Sequence, residues 1–356
     1  HFSTNQSLQE DLVKAICKEL VIQKDYVSND EINTIYFGGG TPSLLAQDQL
    51  DNILDVIHKT YNVSTSPEIT LEANPDDLSS QKLIALKASG INRLSIGVQS
   101  FDDVVLRFLN RAHNANEAVS AIEKAQGTGL ENISIDLIYG IPDRKDLLWV
   151  KDINKAVALN PMHISSYCLT IEPKTVFGHR ANKGSLEPMD EDAEAQQFEI
   201  LLDKLSVEGF EQYEVSNFCK PGFESKHNSS YWKQQVYLGV GPSAHSYNLV
   251  NRQFNISHNK QYIDSIEKGK VPFTLDDLSA EDKVNDYLLT TLRTKWGADI
   301  NRLRVVLGYD LLTANKNYID HLLKQHLASI TDDHLILSKD GLLLADKIAS
   351  DLFLLT

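Results

Sequence analysis

Cysteine is scarce in this chain of 356 residues: only Cys17, Cys168 and Cys219, far apart and odd in number. That excludes a disulfide framework and makes a reducing cytoplasm the expected location. No apolar run approaches the ~20 residues that span a bilayer and no signal peptide opens the chain, so stable membrane insertion is not expected. Positive charge is also in short supply, with 34 Lys and Arg against 49 Asp and Glu and a net charge of −15. Nucleic acid is therefore not an expected partner, because binding phosphates needs a basic face. Internal repeats and low-complexity stretches are lacking too. The chain opens on His1 rather than on methionine, which leads to the expectation that it starts inside a longer protein.

What is present is a globular composition, 42 % hydrophobic and 23 % charged, in a chain long enough to bury a core without disulfides or structural metals. Leu8, Leu12, Ile16 and Leu20 recur every four residues and predict an amphipathic helix. Strand-like runs then follow at 34–37, 68–74, 93–100, 133–139 and 163–171, separated by helical stretches at 47–60, 79–89, 115–127 and 147–159. Strand–helix alternation predicts an α/β fold with a parallel sheet and right-handed crossovers.

The strand faces narrow the choice. Ile69, Leu71 and Ala73 oppose Thr70, Glu72 and Asn74; Leu94, Ile96 and Val98 oppose Ser95, Gly97 and Gln99; Ile133, Ile135 and Leu137 oppose Ser134 and Asp136. Helix-covered parallel strands normally read as almost continuous apolar runs. A second face of small and polar groups implies a ligand cavity rather than the packed interior of a closed eight-stranded barrel. Beyond residue 175 come a long acidic helix over 187–209, a loop-rich region, and from about 275 a compact helical module with a hairpin at 327–337 turning at Asp332–Asp333. The module is winged-helix-like, but its 9 Lys and Arg against 13 Asp and Glu suit a structural or partner-contacting lid better than a DNA reader. The expected domains are 1–174, 175–274 and 275–356.

Two features carry chemistry. In Tyr36-Phe37-Gly38-Gly39-Gly40-Thr41-Pro42-Ser43, three glycines at a strand end let the backbone approach a ligand closely. Taken alone, the run reads first as a tight turn with Thr41 or Ser43 capping the next helix. The second feature is Glu72, Gln99 and Asp136, each near the C-terminal end of a strand, joined by Arg111 just beyond the strand that carries Gln99. Ligands of parallel sheets bind at that end. Two carboxylates, an amide and a guanidinium can meet an ammonium, a ribose diol and a carboxylate; an internal hydrogen-bond network is the other reading of the same set.

The ordered segments 36–43, Glu72-Ala73-Asn74-Pro75, Arg93 to Ser100, Asn110-Arg111 and Ile135 to Pro142 resemble the radical S-adenosylmethionine proteins related to oxygen-independent coproporphyrinogen III oxidase. The resemblance implies an incomplete (β/α)6 barrel with a C-terminal helical, winged-helix-like domain. It also implies that Gly39, Gly40 and Thr41 hold the methionine amino end, with Glu72 near that ammonium. Arg111 would pair with the carboxylate, and Gln99 and Asp136 would meet the ribose. The family ligates a 4Fe–4S cluster through Cys-x-x-x-Cys-x-x-Cys, a motif this sequence lacks; Cys17 reads as a core residue, and Cys168 and Cys219 have no ligand spacing. Since the family's motif ends a few residues before a segment like His1-Phe2-Ser3-Thr4, the expectation is that cluster cysteines and a first strand lie upstream of His1.

Within that superfamily, His227-Asn228-Ser229-Ser230-Tyr231-Trp232 resembles the H-N-x-x-Y-W haem motif of the HemW-like group, regarded as haem chaperones. The resemblance implies His227 as ligand to haem iron, Tyr231 and Trp232 against the porphyrin, and haem-acceptor proteins, respiratory ones among them, as partners. Residue type suits this, since histidine is a good axial ligand and aromatic rings stack on porphyrins. Read from composition alone, His227 is one loop histidine among eleven. The alternative function is coproporphyrinogen III oxidase (dehydrogenase) activity. An aldolase-type barrel would need an inward lysine or acid pair, and no such lysine is present on the readable strands.

Overall fold

The computed structural model describes residues 8–27, 30–142 and 144–355; the expected segment His1–Thr4 lies outside them. Seven strands form the main sheet: β1 (Ile32–Phe37), β2 (Val63–Ala73), β3 (Arg93–Gln99), β4 (Ile133–Tyr139), β5 (His163–Cys168), β6 (Glu211–Glu214) and β7 (Asn217–Cys219). Their order is β1-β2-β3-β4-β5-β7-β6. Strands β2 to β5 pair in parallel, and the β6–β7 hairpin closes the edge antiparallel to β5. The sheet curls as a half-barrel of mainly parallel strands with helices, an incomplete α/β barrel.

The burial pattern follows from the two-faced strands. Leu71, Leu94, Ile96, Val98, Ile133, Ile135 and Leu137 are sealed under the helices, while Glu72, Gly97, Gln99 and Asp136 on the other face keep partial exposure. The helices start where their caps dictate. Asn114 accepts the amides of Asn116 and Glu117 while the Glu117 carboxylate accepts the Asn114 amide, a reciprocal cap that opens Ala115–Gly127. The acidic helix begins later than expected, at Glu191 rather than 187, because Asp190 is the N-cap and accepts from the Asp192 amide. Glu191, Asp192 and Glu194 in its first turn suit the positive end of the helix dipole.

The chain divides into two compact units. One comprises Tyr36–Leu44 and Ile69–Glu224; the other comprises His1–Ile35, Leu45–Glu68 and Ser225–Thr356. In the latter, Leu12, Ala15, Tyr262, Ile263 and Ile266 pack into one core. Its C-terminal portion carries a three-stranded antiparallel wing, Ala298–Asp299, His334–Leu337 and Ala328–Thr331. The wing hairpin turns at Asp332 (φ 50°) and Asp333 (φ 60°), the left-handed pair that a two-residue turn between twisted strands needs. Two short helices, Lys339–Leu343 and Ala345–Asp351, follow the wing.

Candidate functional site

The first cluster is built where β1 runs into the glycines. The Tyr36 hydroxyl donates to Glu72 Oε1 at 2.7 Å, and the Gly39 N–H donates to Glu72 Oε2 at 3.1 Å. Gly39 has φ +77°, a conformation side chains resist. A Cβ at Gly38 would lie 2.5 Å from a Tyr36 ring carbon and 2.7 Å from Glu72 Oε1. The glycines therefore make a tight turn and also set an amide against a carboxylate. Burial, reinforced by the Glu72 charge, pushes the Tyr36 phenol up, so it remains a donor. Gly40 is exposed and Thr41 half-buried, with the Thr41 carbonyl accepting from the Leu44 amide at 3.0 Å.

The second cluster sits at the end of β3, where the register with β4 shifts between Ile96 and Gln99. Gln99 has φ 67°, a bulged conformation that re-aims a side chain at a strand end. Arg111 Nη2 donates to Asn74 Oδ1 at 2.7 Å and to the Gly97 carbonyl at 3.3 Å. A Cβ at Gly97 would meet Gln99 Nε2 at 2.9 Å and Arg111 Nη2 at 3.2 Å, so amide and guanidinium converge on the space a glycine leaves. Buried His113 contacts the Val98 carbonyl through Nε2 at 3.0 Å and steadies the bulge.

Asp136 is the third element. The Ser95 hydroxyl lies 3.2 and 3.1 Å from its two oxygens, and Ser134 donates to Oδ1 at 3.3 Å. Burial pushes its carboxyl up to about 7, against the pull of the serine hydroxyls and with the Glu72 charge adding to the rise. Behind it, Ser134 Oγ is 2.8 Å from His163 Nδ1, and His163 Nε2 is 2.8 Å from the Tyr213 hydroxyl. Tyr36, Asn74, Ser95 and Ser134 are thus tethers to which the sequence analysis gave no role of their own; Ser95 and Ser134 sit on the polar parity of their strands and Asn74 continues that of β2 just past its end, the one signal that points to them.

In the other unit, His227, Tyr231 and Trp232 lie on the helix Lys226–Trp232. Ser225 caps it by accepting from the Asn228 amide at 3.2 Å. Glu68 accepts the Lys226 and His227 amides at 3.1 and 3.0 Å, a carboxylate at the positive helix end. His227 Nδ1 is 3.1 Å from Thr34 Oγ1, and Nε2 is 2.9 Å from the Tyr231 hydroxyl. Burial pulls the His227 imidazole down to about 4, so it is neutral at physiological pH. The Tyr231 ring stands edge-on to His227 at 4.9 Å and to Tyr237 at 4.6 Å. Trp232, one residue further round the helix, instead lies beneath the Arg293 guanidinium at 5.7 Å, and its Nε1 is buried without a hydrogen-bond partner among the described residues.

The residues expected for S-adenosylmethionine fit it by the chemistry of their donors and acceptors: two carboxylates, a guanidinium and glycine backbone with its carbonyl oxygens, beside a cradle that a Cβ would fill. The cysteines do not fit an iron–sulfur cluster. Burial raises the Cys17 thiol, and burial with Glu194 pushes Cys168 up to about 12, while Cys219 is fully buried. Among the described residues no group of three or more His, Cys, Asp or Glu is placed to hold a metal ion, and no helix is long and apolar enough to cross a membrane.

Residues 6–152 match the model of the Radical SAM superfamily. "Heme chaperone HemW" of Bacillus subtilis (strain 168) is 35 % identical, over 98 % of this chain and 92 % of its own length. The protein of the same name from Mycobacterium tuberculosis (strain H37Rv) is 32 % identical over 95 % of this chain and 85 % of its own. Among solved structures, coproporphyrinogen III oxidase (HemN) from Escherichia coli superposes with a TM-score of 0.83, covering 98 % of this chain and 84 % of that one at 20 % identity, a likeness of fold. The chain therefore belongs to the HemW family of the radical SAM superfamily.

Proposed function

We propose that this protein is a cytoplasmic haem chaperone that binds haem through His227 and passes it to acceptor proteins, respiratory ones among them. The observation that carries this reading is the neutral imidazole of His227, set one helical turn from Tyr231, which is 38 % exposed. A neutral ring nitrogen is what iron binds, and an exposed aromatic neighbour gives the porphyrin a surface to rest on. The curated relatives are named as heme chaperones, which favours carriage of haem over its synthesis.

S-adenosylmethionine is held, in this reading, on the polar strand face of the other unit. Glu72 and the backbone carbonyl oxygens of Gly39, Gly40 and Thr41 take the ammonium end, Arg111 the carboxylate, and Gln99 and Asp136 the ribose. When bound beside a reduced cluster, that cofactor supplies radical chemistry. The family's cluster draws thiolates from none of Cys17, Cys168 and Cys219.

The test uses the protein reconstituted anaerobically with iron and sulfide. One sample is titrated with haem by absorbance; a parallel one is incubated with coproporphyrinogen III, S-adenosylmethionine and a reductant. Stoichiometric haem binding that His227→Ala abolishes, with no protoporphyrinogen formed, is the expected result. Protoporphyrinogen formation would make the protein a coproporphyrinogen oxidase and refute the reading of residues 227–232.

A further inference from the structure

Within its own unit, His227 meets Glu68, Thr34 and Tyr231. The Glu68 side chain is buried, at 5 % exposure, and its two oxygens take the amides that begin the helix. The ring nitrogens face two different hydroxyls, Thr34 at Nδ1 and Tyr231 at Nε2. A phenol is far more acidic than an aliphatic alcohol and is the better donor, whereas the aliphatic oxygen is the better acceptor. For a neutral ring, the consistent arrangement has Nδ1–H donating to Thr34 Oγ1 and Nε2 accepting from the Tyr231 O–H. Thr34 sits in β1 with its backbone fixed by the sheet; Tyr231 is the more exposed partner.

Resting on the haem reading above, we infer that Thr34 is the positioning residue that presents Nε2 of His227 to haem iron, and that the Tyr231 hydroxyl is the removable cap the iron displaces. A second partner that fixes the tautomer of a ligating histidine raises its basicity and orients its ring. The cap keeps the lone pair satisfied while no haem is bound, and releasing it opposes binding by one hydrogen bond.

The two hydroxyls therefore act with opposite sign. Thr34→Val keeps the shape and removes the acceptor, and should weaken haem binding roughly tenfold, with Thr34→Ser restoring it. Tyr231→Phe keeps the ring and removes the cap, and should tighten binding about fivefold. Haem titrations read both. In the haem-free protein, long-range 1H–15N NMR of the histidine that disappears in His227→Ala should show the Nδ1–H tautomer, and Thr34→Val should relax it toward a mixture. Parent-like affinity in Thr34→Val, no tightening in Tyr231→Phe, or an Nε2–H tautomer would each overturn the inference. If His227→Ala abolishes binding while both hydroxyl variants are silent, this inference falls and the haem reading stands. If His227→Ala binds haem like the parent, both fall.

Discussion

Replacing Asp136 by Asn removes a carboxyl whose ionisation the folded protein resists. Its folded value is about 7 against 3.8 for the free side chain, a difference of 7 − 3.8, or about 3 units. At 1.36 kcal/mol per unit that bounds the effect at roughly 4 kcal/mol, and the partial exposure of the residue brings the expected figure to about 2–3 kcal/mol. The sign follows from proton counting. Below pH 3.8 both folded and unfolded chains hold the proton and the carboxyl makes no pH-dependent difference. As pH rises from 3.8 to about 7 the unfolded chain releases it first, so stability falls, reaching its floor above 7. Asn cannot titrate and escapes the loss, while its carbonyl oxygen still accepts from Ser95. Urea unfolding of parent and variant at pH 4, 6 and 8, followed by circular dichroism, should give a gap that opens with pH in favour of the variant. S-adenosylmethionine should bind the variant more weakly, because ribose hydroxyls donate best to a carboxylate. A gap that does not change with pH, or a variant less stable than the parent at pH 8, would refute the assignment of burial as the cause.

Two other substitutions probe close packing. Gly97→Ala should weaken S-adenosylmethionine binding by about tenfold or more, since its Cβ intrudes at 2.9 Å on Gln99 Nε2 and 3.2 Å on Arg111 Nη2; because both are side-chain ends, the melting temperature should move little, and calorimetric titration beside a thermal melt separates the two effects. Glu19→Gln should destabilise its unit by about 2 kcal/mol. The buried carboxylate accepts from the Gly241 amide at 2.8 Å, from Asn255 and Gln23 at 2.7 and 2.9 Å and from the Tyr262 hydroxyl, and an amide NH2 would set donor against donor; an unchanged urea midpoint would show that the network rearranges freely.

The strands were legible because their apolar positions alternate, and the helices because their caps are local. Where extent was misjudged, the signal was weak: β2 begins at Val63 rather than Glu68 because Ser64, Thr65, Ser66 and Pro67 carry no apolar alternation. Of the residues proposed for S-adenosylmethionine, Glu72, Gln99 and Asp136 were legible as polar types on one strand face, since a strand's parity of two survives in sequence, whereas Arg111 stands beyond β3 and was reached only through the Asn110-Arg111 motif. Their tethers were not legible, because a serine at position 95 or 134 looks the same whether it packs idly or steadies a carboxylate.

The His227 site shows why the remainder lay beyond sequence. Motif reading reached His227, Tyr231 and Trp232, which stand within six residues of one another, but the hydroxyl at Nδ1 comes from Thr34, 193 residues away, and the carboxylate beneath the helix from Glu68. Neither residue type is distinctive. Glu68 shares the strand parity of Glu72, and each grips backbone, Glu72 taking the Gly39 amide beside the Tyr36 hydroxyl and Glu68 the amides of Lys226 and His227. A carboxylate that grips an amide fixes backbone rather than side chain, so what it positions depends on which segment folds against it. That choice is made by tertiary structure, and it sets one ring nitrogen of His227 against Thr34 in the sheet and the other against the Tyr231 hydroxyl.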